Sequence, residues 1–462
     1  MIDTTTPNSP GWWLKRLALQ LDENTRHADE LDAYLRCENG IPITASKAVR
    51  EAYRRLMRMA RTNFAELLVE AVRERMEPVG FRTGADGDDL GDDLAWRIWQ
   101  TNALDADCDL VHGSMLGLAD GYVIVGQVDR ELGVPLITPE DPRQVVVEPD
   151  PRRRRRALAA AKFFVDDWTG TDAAYLYLPG GIVLTASRDR GSEGFAGFGQ
   201  SVERWTWTRE QRLPAPVIPV VRFGNRLDMF GRSRSEFEPH LGLLDRINYT
   251  VLSRLEIATL QAFRQRALKG APVEDEHGNE VNYDDIFEAD PGAMWLLPEG
   301  AEMWESGMVD LGPIRQAIRD DVQDLAAVSR TPLYYLTADA ANGSAEGASL
   351  AREGLVFKTK DRLKAAGESW EQVMSLAFTF AGDEQRARRQ DMEVLWAAPE
   401  RYSLAERHDA ASKALGSQVP WRTVMTQVLQ YTPQQLARME NERAEDLLRA
   451  AALAPLTPSA TG

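Results

Sequence analysis

Residues 239–270 read PHLGLLDRINYTVLSRLEIATLQAFRQRALKG. Apolar side chains return every three or four positions, at Leu241, Leu244, Ile247, Val251, Leu255, Ala258 and Ala262, and so fall on one face of a helix. Pro239 suits the first turn and Gly270 ends the run. The pattern predicts a helix of roughly thirty residues, about 45 Å long at 1.5 Å per residue. An acidic, turn-rich stretch follows through Pro298, and a second, shorter stripe opens near Pro313 with Ile314, Ile318, Val322, Leu325 and Val328. Two long helices enclosing a small insertion make an antiparallel stalk with a tip. That tip gathers Glu274, Asp275, Glu276, Glu280, Asp284, Asp285, Glu288 and Asp290, which read as an exposed hairpin or as a charged docking surface. The stripes themselves read as plain helix packing, or as packing between neighbouring copies.

N-terminal to the stalk, Trp12–Leu35 is helix-like, with Trp12 and Trp13 as its anchor or as an exposed partner contact. Ala48–Met76 reads as a second helical segment, and Leu94–Met115 as a third, after an Asp-rich loop at 86–93. From Gly121 the pattern changes to short β-like runs at 122–125, 145–147, 174–178, 182–184, 202–208 and 217–223, separated by Gly, Pro and Asp turns. In the fifth run Trp205 and Trp207 share a face, as period 2 requires. C-terminal to the stalk, Thr331-Pro332-Leu333-Tyr334-Tyr335-Leu336 leads to a small polar loop, Ala338–Gly343. Ser344 is placed to cap a long helix reaching Phe380, in which Val356, Leu363, Trp370 and Ala377 recur at heptad spacing. Three shorter helices close the chain, two of them opened by capping boxes, Ser403-x-x-Glu406 and Thr432-x-x-Gln435. The fold class is α+β.

The charge and motif content narrows the chemistry. The 462 residues hold 54 Lys and Arg against 71 Asp and Glu, a net charge of −17, which argues against tight phosphate gripping by Lys and Arg. Two cysteines in so long a chain make no disulfide framework, so a reducing compartment is the natural reading. No apolar run approaches a membrane span, and the N-terminus shows no signal peptide. No Gly-Lys pair exists for a nucleotide-binding loop, and no His-Glu-x-x-His is present. Gly231-Arg-Ser233-Arg-Ser235 ends in serine where a nucleophile elbow needs glycine, and the glycines at 194–199 read as a mobile loop. A calcium loop opened at Asp86 places Gly91 at its sixth position but Leu90 and Arg97 where oxygen ligands belong. Arg152–Arg156 is the strong basic run. It reads as a contact to phosphates or an acidic partner, or as a solvated strand start with its arginines alternating outward and paired to nearby acids.

The order of these elements resembles the portal proteins of tailed bacteriophages, the ring subunits at one vertex of the capsid. Leu35–Pro42, Asn63-Phe64 to Gly80-Phe81, and Phe223-Gly-Asn225 followed by Phe230-Gly-Arg-Ser233 are similar to family passages, and Thr331-Pro332 through Asn342-Gly-Ser344-Ala-Glu346 is the most specific. The resemblance implies a β-rich wing, a long-helix stem, a small α/β clip and a helical crown. In this sequence the N-terminal arm would be 1–42, the wing 43–232, the first stem helix 233–268 and the clip 269–305. The second stem helix would be 306–331, the tunnel loop and long helix 332–382, and the crown and tail 383–462.

The resemblance further implies a homo-oligomeric ring, typically of twelve copies, around a channel through which double-stranded DNA is packaged and ejected. Its partners would be the terminase large subunit, a head-tail adaptor, and major capsid and scaffolding proteins, with no membrane. Its place would be the virion, after assembly in the host cytoplasm. Asp339, Ala340, Ala341, Asn342, Gly343 and Ser344 would form the tunnel loop, which carries no cation. Leu244, Ile247, Val251, Leu255, Ile318 and Val322 would pack the stem. Glu274, Asp275, Glu276, Asp284 and Asp285 would dock partners at the clip. No catalytic residue, cofactor or metal is expected, and a surplus of carboxylates along the bore would keep DNA sliding. Two other readings stay open on the residues alone: a metal-dependent nuclease using carboxylates of 86–93 or 274–290, and a monomeric helical adaptor.

Overall fold

The computed structural model describes residues 2–39, 56–85, 91–190, 197–262, 266–270, 274, 277, 302–305, 307–337, 345–400 and 402–453. The chain divides into two compact units. One comprises residues 1–39, 63–241 and 325–462, and the other 40–62 and 242–324.

The larger unit opens with α1, Pro10–Leu35, capped by Ser9, whose hydroxyl accepts the Trp12 N–H. Next come α2 (Phe64–Arg73), β1 (Pro78–Arg82), α3 (Asp93–Thr101) and α4 (Leu104–Gly117). Strands β2 (Asp120–Val128), β3 (Pro135–Glu140), β4 (Val145–Asp150), β5 (Arg153–Asp166), β6 (Thr171–Leu178), β7 (Ile182–Asp189), β8 (Thr206–Arg212) and β9 (Val220–Gly224) follow. They form an antiparallel sheet in the order β4-β5-β6-β7-β8 and a smaller one in the order β3-β2-β9.

Period 2 along β5 explains how the layers stack. Ala159, Ala161 and Phe163 join Trp13, Leu14, Leu17 and Leu21 of α1 in one buried core. Ala160, between them, faces the opposite way into a second core with Tyr122, Ile124 and Val220 of the smaller sheet. Trp12 packs at the edge of the first core, so the tryptophan pair anchors α1. Trp205 is buried just ahead of β8 rather than within a strand, because 202–204 form a 3₁₀ turn.

Two helices expected to be continuous are each broken by an asparagine. Residues 56–60 are helical, 61–63 are not, and Asn63 then caps α2 by accepting the Glu66 N–H. Asn102 separates α3 from α4, donating to the Pro135 carbonyl and accepting from Ile137 N–H, which ties this corner to β3. In each case side-chain bonding to backbone outcompetes helix propagation. Gly197, at φ +107°, is likewise held: the next two N–H groups, of Phe198 and Gly199, donate to the Asp22 carboxylate at 2.9 and 2.8 Å. This end of the expected mobile loop is therefore fastened to α1.

The smaller unit holds most of α5 (Leu241–Ala262), the strands β10 (Arg266–Lys269) and β11 (Glu302–Glu305), and the first part of α6 (Gly312–Ser329). Back in the larger unit, α7 (Ala345–Ala381) places Trp370 among Trp99 and Phe223, each with its ring centroid 4.8 Å away. Strand β12 (Glu393–Trp396) pairs antiparallel with β1. Last come α8 (Leu404–Gly416) and α9 (Pro433–Leu453), which pack with Val424 and Met425 around Ala411 and Leu436. Both expected capping boxes form: Ser403 with Glu406, and Thr432 with Gln435.

Candidate functional site

Helix α5 begins at Leu241, after a 3₁₀ turn at Glu238–His240 that contains Pro239. It is described to Ala262, and 266–269 are strand rather than helix, so the expected first stem helix of 233–268 is shorter at both ends. Of its stripe, Leu244 and Ile247 are buried, while Val251 and Leu255 are half-buried. These two pack with Leu252 against Leu56, Met57 and Ala60. Asn248 Oδ1 accepts the Thr62 N–H at 2.9 Å beside this cluster. Part of the expected stem face is thus committed to a segment of its own chain. Leu252, one position off the stripe, is its most buried member on α5, and only the tertiary contact reveals it.

Helix α6 runs antiparallel to α5. Arg246 Nη2 lies 2.7 Å from Asp321, and Gln261 donates to the Val309 carbonyl at 3.0 Å, so positions ascend on one helix as they descend on the other. Val322 and Leu325 are buried and Ile318 half-buried. Val328 is a correction: it is 57 % exposed, because it lies in the last turn, just before Arg330 turns the chain with φ +53°.

The insertion between α5 and α6 starts from a two-stranded ladder. Arg266 stands opposite Glu305 and Lys269 opposite Glu302, pairing opposite charges at both ends of the register. Glu274 is exposed; Asp275, Glu276, Asp284 and Asp285 lie outside the described residues, as do Asp339, Ala340, Ala341, Asn342, Gly343 and Ser344. Residues 269–305 carry eleven carboxylates and a single lysine, whereas α5 and α6 together carry five carboxylates and four arginines. The acidity of the chain is concentrated in the insertion, and the two long helices are close to neutral.

Of the carboxylates weighed for metal chemistry, Asp93 and Glu274 are exposed, and Asp92 has another occupation. Asp86, Asp88 and Asp89 lie outside the described residues. Asp92 caps α3 through Oδ1, while its Oδ2 accepts from Thr83 and Arg386, each at 2.6 Å. Cys108, Asp109 and His112 offer ligand atoms within 4.8 Å of one another. Asp109 is paired to Arg73 at 2.9 Å, His112 Nε2 accepts the Trp370 N–H, and burial, then Asp109 and Asp105, push the Cys108 thiol up to about 12. A cation here would have to displace Arg73 and strip a proton from a resistant thiol.

Arg153–Arg156 open β5 and are all exposed, instead of alternating. The β5–β6 ladder begins only at Ala160, so this end of the β4–β5 hairpin projects beyond its neighbour. Arg155 reaches Glu368 at 3.5 Å, and it alone of the four has an ion-pair partner among the described residues.

Comparison with known proteins gives this architecture a family. The sequence model described as "Phage portal protein, SPP1 Gp6-like" matches residues 14–447. The chain belongs to this family of phage portal proteins. Over 372 residues it is 27% identical to the portal protein of Mycobacterium phage D29, covering 78% of this chain and 73% of that protein. Over 375 residues it is 26% identical to the portal protein of Mycobacterium phage L5, with the same shares covered. The family match spans α1 through most of α9, including both long helices and the acidic insertion between them. Among the described residues no helix is long and apolar enough to cross a membrane.

Proposed function

We propose that this chain is the repeating subunit of a portal ring, twelve copies enclosing a channel for double-stranded DNA at one capsid vertex. The observation that carries the reading is the family match over residues 14–447, joined to an antiparallel helix pair bearing an acidic, strand-based insertion. In this reading α5 and α6 form the stem, 269–305 the clip and 339–344 the tunnel loop. The β4–β8 sheet with α1 belongs to the wing, and α8 with α9 to the crown. The clip is where the terminase large subunit and then a head-tail adaptor dock, while capsid and scaffolding proteins hold the ring in the virion. The chain acts structurally and the motor supplies the chemistry.

Near-neutral stem helices suit a conduit. With four arginines against five carboxylates on the two helices, phosphate contacts that would arrest sliding are scarce, and the acid-rich insertion repels phosphate at one end. Ring closure uses a heterologous interface, one face of each copy on a different face of the next. Mass measurement and negative-stain imaging of the purified chain with its capsid proteins test the proposal. Rings with an axial hole support it; a 51.6 kDa species alone, in capsids that nonetheless fill with DNA, overturns it.

A further inference from the structure

A second feature belongs to the larger unit alone. It is a cavity of about 310 Å³ between the segment after β9, the end of α6 and the first half of α7. At the roughly 30 Å³ a water occupies in the liquid, this is room for about ten. Its floor is a buried charge cluster. The Glu236 carboxylate, 1% exposed, lies 2.5 Å from Arg362 and 3.3 Å from Lys358, and Asn225 Nδ2 donates to it at 3.0 Å. Lys358 also donates to the Ser329 carbonyl at 3.1 Å, which leaves one of its three protons for the cavity.

The mouth is different. Arg226 and Arg330 line it, and neither guanidinium has a hydrogen-bond or ion-pair partner among the described residues. Both are held in left-handed backbone, at φ +49° and +53°, a conformation that costs a non-glycine residue energy and gathers at binding sites. The cavity therefore presents four cationic side chains, Arg226, Arg330, Lys358 and Arg362, against two carboxylates, those of Glu236 and Asp361. One of these is Glu236, already shared by two cations; the other, Asp361, is 64% exposed and turned to Lys364 at 3.8 Å. The field of this surplus is felt locally. Burial first, then Lys358 and Arg226, hold His240 at the cavity below its ordinary pKa.

We propose that this cavity is an oxyanion site that takes a phosphate group. Two arginine forks at the mouth offer bidentate donors, and the spare Lys358 proton lies below them. The phosphate comes from a DNA backbone or from free inorganic phosphate, and the recognising chemistry is the same. The cavity stands on its own geometry; only the DNA source rests on the portal reading.

The test is titration of the full-length chain with inorganic phosphate by calorimetry, at fixed ionic strength with chloride as the control anion. The probe variants are Arg226→Gln and Arg330→Gln, singly and together, chosen because neither guanidinium holds the fold through a described partner. The expected result is saturable phosphate binding, absent with chloride, that weakens about tenfold in the double variant while its melting temperature without phosphate stays at that of wild type. No phosphate-specific heat, or equal affinity in wild type and the double variant, overturns the proposal. A labelled duplex whose binding weakens in the same variants and is displaced by phosphate assigns the source to DNA. Duplex binding indifferent to the variants, alongside phosphate binding that responds to them, assigns the source to free phosphate.

Discussion

Trp370 donates its indole N–H to His112 Nε2 at 2.9 Å, and both rings are fully buried. The two residues are 258 positions apart, so the bond ties α4 to α7 at the centre of the larger unit. An imidazole can accept there only while that nitrogen is unprotonated. Burial, and behind it Arg73, hold the His112 pKa down to about 3.

That depression predicts acid lability with a defined sign. The unfolded imidazole takes up a proton near pH 6.5 and the folded one does not, so stability is full above pH 6.5 and falls as the pH drops toward 3. The loss should be on the order of 3 kcal/mol by pH 4, at about 1.36 kcal/mol per unit. Urea melts of wild type and His112→Gln at pH 7, 6 and 5 check it. The glutamine variant keeps an acceptor without a proton to gain, so its stability should vary less with pH. Equal pH slopes in the two proteins would remove His112 as the cause.

Glu236 sets a second prediction. Burial opposes its charge, but Lys358 and Arg362 outweigh burial and bring its pKa down to about 2. Glu236→Gln would leave Lys358 facing Arg362 inside the protein, and removing one member of a buried pair costs about 3–5 kcal/mol. Replacing Asp409, whose ion pair with Lys413 is 65% exposed on its own side, should cost within about 1 kcal/mol. Chemical denaturation of the two variants side by side measures the contrast. A Glu236→Gln protein as stable as the Asp409→Asn protein would mean that the cluster carries no strain when its carboxylate is gone.

The sequence showed the parts of this fold that follow from period alone. The α5 and α6 stripes, the β6 and β7 runs, the heptads of α7 and both C-terminal capping boxes are local patterns, and local physics forms them. Asn63 and Asn102 defeated the same method, because a helix-period reading has no term for a side chain that bonds a distant backbone. Leu252 escaped for a related reason: its burial depends on residues 56–60, far off in sequence, and not on its neighbours. The net charge of −17 was legible as a sum, yet its concentration in 269–305 changes where electrostatics acts. The oxyanion cavity could not be read at all, since Arg226, Arg330 and Lys358 share no spacing.

The apolar face of α5, proposed as the stem, can be tested in two grades. Leu252→Ala removes a side chain 1% exposed and should cost about 2–5 kcal/mol, with lower solubility before any assembly step. Leu244→Asp, Val251→Asp and Leu255→Asp together place carboxylates in apolar surroundings and should abolish the folded stem. Tyr249, 54% exposed on α5, should tolerate Ala within about 0.5 kcal/mol in the isolated subunit. A marked loss of ring formation by Tyr249→Ala, with an unchanged melting temperature, would place that side chain in the contact between copies.

Removal of 339–343 separates a channel role from a structural one. The segment Asp339-Ala340-Ala341-Asn342-Gly343 joins Thr337 to α7 and carries no cation or large apolar side chain, so nothing in its chemistry suits it to a core. Its loss should leave the melting temperature and the number of copies per ring unchanged while the packaged DNA length or its retention falls. The measurement is ring mass by native methods alongside DNA content of filled heads. A deletion that unfolds the chain would make the segment part of the packed structure, and a deletion that packages and retains DNA normally would end its assignment as the tunnel loop. Ser344 is kept in this variant because a serine directly before a helix is the residue type suited to cap it, and losing a cap costs about 1 kcal/mol and would blur the comparison.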